Sequence, residues 1–93
     1  MSTTNNLPEF ETYSTSGINS LRFDNPDGSV FWFSYRTLVA FKPEAGTTIV
    51  HRNDWAQTTG KHLNAIDGGS AEAKARRLDA EAFNAAFREA FPS

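Results

Sequence analysis

One twelve-residue stretch, residues 53–64, brings together several different types of side chain that can do chemistry. It reads Asn-Asp-Trp-Ala-Gln-Thr-Thr-Gly-Lys-His-Leu-Asn. An indole, two adjacent hydroxyls, a glycine, an ammonium and an imidazole fall within it. Such groups can stack on a planar ring or donate hydrogen bonds to a phosphate. The stretch is therefore predicted to form a contact surface, whereas most of the remaining chain is typical of residues that build a fold.

The segment Thr58-Thr59-Gly60-Lys61 resembles the end of a phosphate-binding loop. Free N–H groups at a helix start, a hydroxyl and a lysine all favour a phosphate. The nucleotide-binding pattern, however, needs a glycine where Trp55 stands and a Ser or Thr where His62 stands. NTP hydrolysis is therefore excluded. Two interpretations stay open: a helix start that binds one phosphate of a nucleic acid or small ligand, and a capped helix start with a solvated lysine.

Residues for catalysis or metal binding are present but not in a recognisable arrangement. His51 and His62 are the only histidines, and no spacing of Asp or Glu completes a zinc site around them. Asp24 and Asp27 belong to a predicted turn, so they do not form a paired-carboxylate site. No catalytic residue, no metal ligand and no cofactor is predicted, and the chain is predicted not to be an enzyme.

Trp55 lies between a predicted strand and a predicted helix. It is either a core plug at that junction or an exposed platform for stacking a base or a partner side chain. Basic residues flank it at Arg52 and Lys61, and three more crowd positions 74–77. These cations either converge on phosphates or are solvated separately. The predicted nucleic-acid or partner-binding residues are Arg52, Asn53, Trp55, Thr58, Thr59, Gly60, Lys61, His62 and Asn64.

Length and composition bound the class of protein. The chain has 93 residues, the size of one domain, since domains typically have about 100–150 residues. A hydrophobic fraction of 39% with eight Phe is enough for one core, so the chain is not predicted to be disordered. Residues 1–9 are predicted to be a mobile tail and residues 10–93 a single domain.

Charge and targeting signals narrow the setting. A net charge of −2 argues against coating nucleic acid through bulk charge, although it leaves room for a local basic patch. The absence of cysteine excludes disulfides and thiolate metal sites. No apolar run approaches the roughly 20 residues that cross a bilayer, and the first residues lack the pattern of a signal peptide. We expect no membrane association and a location in the cytoplasm of a host cell.

About four predicted strands form an antiparallel meander over residues 18–51. The turn Asn25-Pro26-Asp27-Gly28 joins the first two, because Pro presets φ and Gly tolerates positive φ. Aromatic residues occur on both faces of the second strand, which indicates a central strand or one covered by a helix. The predicted strands lie at 18–23, 29–36, 38–41 and 47–51.

Two helices are predicted after the sheet. A short helix near 59–67 begins with Thr58 or Thr59 as its N-cap and ends at Gly68-Gly69. A longer helix near 79–91 begins at Asp79 and carries its phenylalanines on one face, at positions 83, 87 and 91. Residues 71–77 either extend the longer helix or form an edge strand. The predicted fold class is α+β, with both helices packed on one face of the sheet.

The strand 33–41 and the stretch 53–64 together resemble a family of small uncharacterised proteins from bacteriophages and their hosts. The pattern of that family is an aromatic Ser-Tyr strand followed by Asn-x-Trp-Ser-x-Thr-Thr-Gly-Lys-His-Leu-Asn. The resemblance covers roughly residues 30–67, and Ala56 stands where the pattern has Ser. It implies a phage or prophage setting and carries no activity with it.

The leading functional hypothesis is a small non-enzymatic phage-type binding module that contacts nucleic acid, DNA or RNA, through residues 55–64. The alternative is a protein–protein inhibitor of a host enzyme or defence complex, of the anti-CRISPR or anti-restriction type. A homodimer through an exposed sheet edge is also predicted as a possible assembly.

Overall fold

The computed structural model describes residues 9–14 and 19–92. Within those residues, five short strands come first along the chain and three helices follow. They are β1 (Glu9–Thr12), β2 (Ser20–Asp24), β3 (Val30–Ser34), β4 (Thr37–Lys42), β5 (Ile49–Val50), α1 (Gln57–Asp67), α2 (Ala71–Arg76) and α3 (Ala80–Ala90).

The strands form one antiparallel sheet in the order β1-β2-β3-β4-β5. The meander is confirmed, but the prediction of about four strands missed β1, which pairs with β2 along its whole length. Strand β1 has only four residues and all are exposed, so its sequence lacks the alternation of buried and exposed residues that marks a strand. Of the predicted tail, residues 1–8 lie outside the described residues, and Glu9 begins β1.

The turn between β2 and β3 forms as its residue types predict. Gly28 has a φ of +96°, and its N–H donates a hydrogen bond to the Asn25 carbonyl at 3.0 Å. The Ser29 hydroxyl and N–H both donate to Asp27, at 2.6 and 2.8 Å. These hydrogen bonds hold the pKa of Asp27 below its ordinary value. A side chain at Gly28 would be strained, because L-residues rarely adopt that φ.

Strand β3 carries large side chains on both faces, since neighbouring residues of a strand point to opposite sides. On one face Trp32 packs with Leu63 of α1 in the buried cluster. On the other face Phe31 meets Phe87 of α3, with ring centroids 5.8 Å apart. The α+β class is confirmed, but the prediction that both helices share one face is wrong. Each face of β3 needs its own apolar cover, and the sheet lies between α1 and α3.

Helix α3 covers its face with the predicted phenylalanine stripe. Asp79 is its N-cap, and the Asp79 carboxylate accepts a hydrogen bond from the Ala82 N–H at 2.8 Å. The completely buried Phe41 of β4 contacts the rings of Phe83 and Phe87 at centroid distances of 5.3 and 5.1 Å. Edge-to-face packing of this kind stabilises the fold beyond the effect of the apolar area that it buries.

Helix α1 begins earlier than predicted. Ala56 is its N-cap, with an extended backbone and no capping side chain, so the prediction that Thr58 or Thr59 caps it is wrong. Thr59 is instead buried inside the first turn. The predicted end is confirmed, since Gly68 adopts a φ of +88° and its N–H donates to the Asn64 carbonyl.

The open question of residues 71–77 has a mixed answer. They form the separate short helix α2, whose N-cap Ser70 accepts from the Ala73 N–H. Leu78 then makes an isolated parallel bridge with His51, and its N–H donates to the Val50 carbonyl at 2.9 Å. This bridge brings α2 beside α1, next to the chain that leaves β5.

Replacing Phe41 by Ala is expected to lower the free energy of unfolding by about 3–5 kcal/mol, because it opens a cavity between the sheet and α3. Phe10→Ala is the matched control, since Phe10 is 67% exposed and its loss is expected to cost about 1 kcal/mol or less. Urea denaturation measures both. Equal losses in the two variants would contradict this placement of the core.

Ala56→Ser is expected to raise the free energy of unfolding by about 1 kcal/mol, because a hydroxyl at the N-cap can accept an otherwise unbonded N–H of the first turn of α1. Ala65→Ser places the same hydroxyl at an exposed position in the last turn of α1 and is expected to give no gain. Thermal unfolding of the two variants compares them directly. A gain at position 65 and none at position 56 would refute the assignment of the helix start.

Candidate functional site

The stretch 53–64 divides into two surfaces when α1 forms. Residues three or four apart share a face of a helix. The side chains of Thr59, His62 and Leu63 are buried against the sheet. The outward side lines a surface groove of about 360 Å³. The groove residues are Asn53, Gln57, Gly60, Lys61 and Asn64 from this stretch, together with Lys74 of α2 and Arg77 after it.

One wall of the groove is held by a salt bridge. Arg77 donates to both carboxylate oxygens of Asp67 at 2.8 Å, and the two side chains are only 5% and 12% exposed. Arg77 also donates to the Asn64 side-chain oxygen at 3.0 Å. Burial would raise the pKa of Asp67, but the hydrogen bonds and charge of Arg77 outweigh it and hold that pKa below its ordinary value. Arg77 is therefore fixed in place and its charge is balanced.

The net positive charge of the groove comes from Lys61 and Lys74. Both are exposed, and in the described part of the chain neither takes part in an ion pair. The two ammonium groups belong to different helices, α1 and α2. An anion in the groove can therefore meet both cations without breaking an existing salt bridge.

Gly60 lets the chain before α1 pack closely on the helix. A Cβ at Gly60 would lie 3.0 Å from the side-chain nitrogen of Asn53. The side-chain oxygen of Asn53 accepts the Trp55 N–H at 3.0 Å. Asn53 and Gly60 thus shape the floor of the groove and orient the loop that carries Trp55. The Gly60 N–H donates to the Ala56 carbonyl within the helix, so it is not a free phosphate ligand.

Three polar side chains meet in the core behind the groove. The Ser34 hydroxyl is hydrogen-bonded to His62 Nδ1 at 2.7 Å and to the Thr59 hydroxyl at 3.0 Å. All three side chains are buried. Burial lowers the pKa of His62, which favours the neutral ring. Thr59 and His62 were predicted to contact a ligand, and the fold brings them to this core cluster and not to the groove.

Trp55 is half-exposed and rests on the core edge. It is 40% exposed, and its ring contacts the His51 ring at a centroid distance of 4.6 Å and an interplanar angle of 51°. His51 Nδ1 donates to the Arg52 carbonyl at 2.6 Å, which fixes the imidazole under the indole. Trp55 therefore packs partly against the core at this junction, and its role as a stacking platform stays a prediction.

Two other predicted site residues lie apart from the groove. Arg52 is exposed and forms a salt bridge with Asp54, at 2.9 Å from Nε to the carboxylate. Thr58 is exposed on the first turn of α1 and does not line the groove. Gln57, Lys74 and Arg77 line the groove and were not among the predicted binding residues. The i, i+4, i+7 spacing of Gln57, Lys61 and Asn64 was the signal that could have identified Gln57.

The described residues contain no cluster of three or more His, Asp or Glu side chains that could hold a metal ion. Across residues 9–14 and 19–92, no helix has the length and apolar character needed to cross a membrane.

The model of a family of unknown function, DUF8033, matches residues 3–82. The chain belongs to this family. The matched region contains α1, α2 and every residue that lines the groove. Searches of curated proteins and of solved structures each found no match. The phage or prophage setting implied by the resemblance stays a prediction.

The free energy of unfolding is expected to fall as the pH drops below about 6.5, because the unfolded chain protonates His62 more readily than the folded chain does. Because the pKa of His62 is lower in the folded protein than in the unfolded chain, its full contribution to stability is present at pH values above the unfolded-state pKa. That contribution is lost as the pH falls towards the folded-state pKa. The slope is at most about 1.4 kcal/mol per pH unit for one proton.

Urea denaturation at a series of pH values between about 5.5 and about 7.5 measures this slope. His62→Gln keeps a polar side chain but cannot take up the proton, so its slope is expected to be flatter. A slope that persists unchanged in His62→Gln would show that another group is responsible.

Proposed function

We propose that this protein is a small non-enzymatic binding module that contacts the phosphates of nucleic acid through the groove between α1 and α2. The observation that carries the proposal is the presence of two exposed cations, Lys61 and Lys74, without ion-pair partners among the described residues, in one groove. Phosphate contacts by Lys and Arg supply most of the sequence-independent affinity for nucleic acid. The phage setting and a cytoplasmic site of action belong to the same proposal.

Because the chain as a whole is acidic, binding of a polyanion depends on how its charges are distributed locally. With a net charge of −2, distant surface charges do not favour a polyanion. Asp67 and Asp54 are already engaged by Arg77 and Arg52, so these carboxylates are partly balanced. Lys61 and Lys74 then give the groove a positive potential, although the net charge of the chain is negative.

The start of α1 adds to this potential. Helices α2 and α3 each have a capping side chain and an acidic residue in the first turn, whereas α1 has neither. Its first N–H groups and the positive end of its dipole are therefore not neutralised locally. The side-chain amides of Asn53 and Gln57 lie at the same end and can donate hydrogen bonds to phosphate oxygens.

A second candidate function, inhibition of a host enzyme or defence complex, is favoured by one observation. Phe10 lies on the edge strand β1 and is 67% exposed, with its ring against Phe23 at 5.8 Å. An edge strand with an exposed aromatic side chain can dock on another protein by strand pairing. The predicted homodimer needs an exposed sheet edge, and β1 supplies one.

Substituting both Lys61 and Lys74 by Gln is expected to abolish most of the salt-dependent binding of nucleic acid. Fluorescence anisotropy with labelled single- and double-stranded DNA and RNA, from about 50 to about 200 mM salt, measures the affinity. The slope of log affinity against log salt is expected to fall by about 1 for each lysine removed.

Arg88→Gln is the matched control. It removes one positive charge from the exposed surface of α3, which packs on the opposite face of the sheet from α1. If Arg88→Gln weakens binding as much as Lys61→Gln alone, bulk charge and not the groove is responsible. The absence of binding to all four nucleic acids would refute the proposed function and leave the edge strand as the surface to test, with Phe10→Ser as the variant.

A further inference from the structure

A second depression lies beside the groove, between two exposed aromatic rings. This cleft has a volume of about 100 Å³. Its lining residues are Ser34, Tyr35, Thr37, Val39, Trp55 and Thr59. Among the described residues, the large apolar side chains that are exposed are Phe10, Tyr35 and Trp55, and the latter two border this cleft. Exposed aromatic rings that share one cleft form a surface suited to stacking.

Tyr35 is held in this position at a conformational cost. Its φ is +60°, the left-handed region, and no other non-glycine residue in the described part of the chain has a positive φ. A bulky residue in that region costs about 1–3 kcal/mol. Its N–H donates to the Asn19 carbonyl at 2.8 Å, which fixes the turn, yet its side chain remains 47% exposed. Glycine would form this turn without strain, so the conformational cost points to a role for the tyrosine ring, which contacts the His62 ring at a centroid distance of 5.8 Å and lines the cleft.

Trp55 is also pre-positioned. The Asn53 side chain fixes its backbone, and the His51 ring supports one side of the indole. Both aromatic residues of the cleft are therefore ordered before any ligand arrives, which reduces the entropy lost on binding.

The cleft and the groove lie on two sides of one turn of α1. Thr59 lines the cleft, whereas the next residues, Gly60 and Lys61, line the groove. A ligand that crosses the start of α1 can thus place a planar group in the cleft and an anionic group in the groove. The edge of the cleft also offers the exposed hydroxyl group of Thr37 to the polar edge of such a planar group.

We propose that the ligand is single-stranded nucleic acid, with one unpaired base stacked against Tyr35 and Trp55 and the neighbouring phosphates in the groove. This inference rests on the proposed function and specifies its substrate. Bases of a duplex are paired and stacked on each other, so they cannot enter a side-chain cleft without being extruded. Stacking on aromatic side chains beside a positive groove is the general way in which proteins hold single strands.

Trp55 itself reports on the cleft once the other tryptophan is removed. Trp32→Phe leaves Trp55 as the only tryptophan, and Trp32 is buried in the core away from solvent. In this background, a single-stranded oligonucleotide is expected to quench Trp55 fluorescence in a saturable manner. The same oligonucleotide with abasic sites, its duplex and inorganic tripolyphosphate are expected to leave the fluorescence unchanged, because none of them supplies an unpaired base.

Substitutions at Tyr35 separate ligand binding from folding. Tyr35→Gly is expected to preserve or raise the thermal stability, because it relieves the positive φ, and to weaken single-strand binding about tenfold, because it removes a stacking ring. Tyr35→Phe keeps the ring and is expected to bind as the parent does. Phe10→Ala is the control for loss of an exposed ring outside the cleft and is expected to bind unchanged.

The outcomes distinguish this inference from the proposed function. If duplex and single strand bind equally, or if abasic sites do not weaken binding, the base-stacking inference is overturned while the phosphate-binding groove stands. If Tyr35→Gly binds like the parent, the cleft is likewise excluded as the base site. If tripolyphosphate and all nucleic acids fail to bind, both the groove and the cleft are refuted as nucleic-acid sites.

Discussion

The structure depends on one constraint, which is that strand β3 presents large apolar side chains to both faces of the sheet. Trp32 on one side and Phe31 on the other must each be removed from water. A sheet with two apolar faces needs two covering layers, so α1 and α3 cannot lie together. This requirement places α1 alone on its face, with its outward side free to meet α2 and to form a groove.

The position of α1 between the sheet and solvent explains why residues that face the core and residues that face outward alternate along it. Leu63 and the hydrogen-bonded His62 and Thr59 anchor the helix to the sheet. Between and beside them, Gly60 and Lys61 face outward. The buried polar cluster is satisfied through Ser34 of β3, so it fixes the rotation of the helix about its own axis as well as its position. That rotation decides which residues line the groove and which line the cleft.

Much of the local structure was predictable because it depends on neighbours in the chain. The turn at 25–28, the Asp79 cap and the glycine that ends α1 follow from backbone preferences of single residues. The phenylalanine stripe of α3 follows from helical periodicity. Strand β1 was missed because it is exposed throughout, and the start of α1 was misplaced because the N-cap is Ala56, a residue type without a capping side chain.

The sequence by itself determined the residue types of the predicted contact surface, the α+β class and membership of the DUF8033 family. Only the tertiary structure decided that His62 faces the core, that Lys74 joins Lys61 in one groove, and that Tyr35 meets Trp55 across a cleft. The physical reason is that these relations join residues far apart in the chain. They depend on which face of the sheet each helix covers, and that choice is set by packing on β3 and not by local preference.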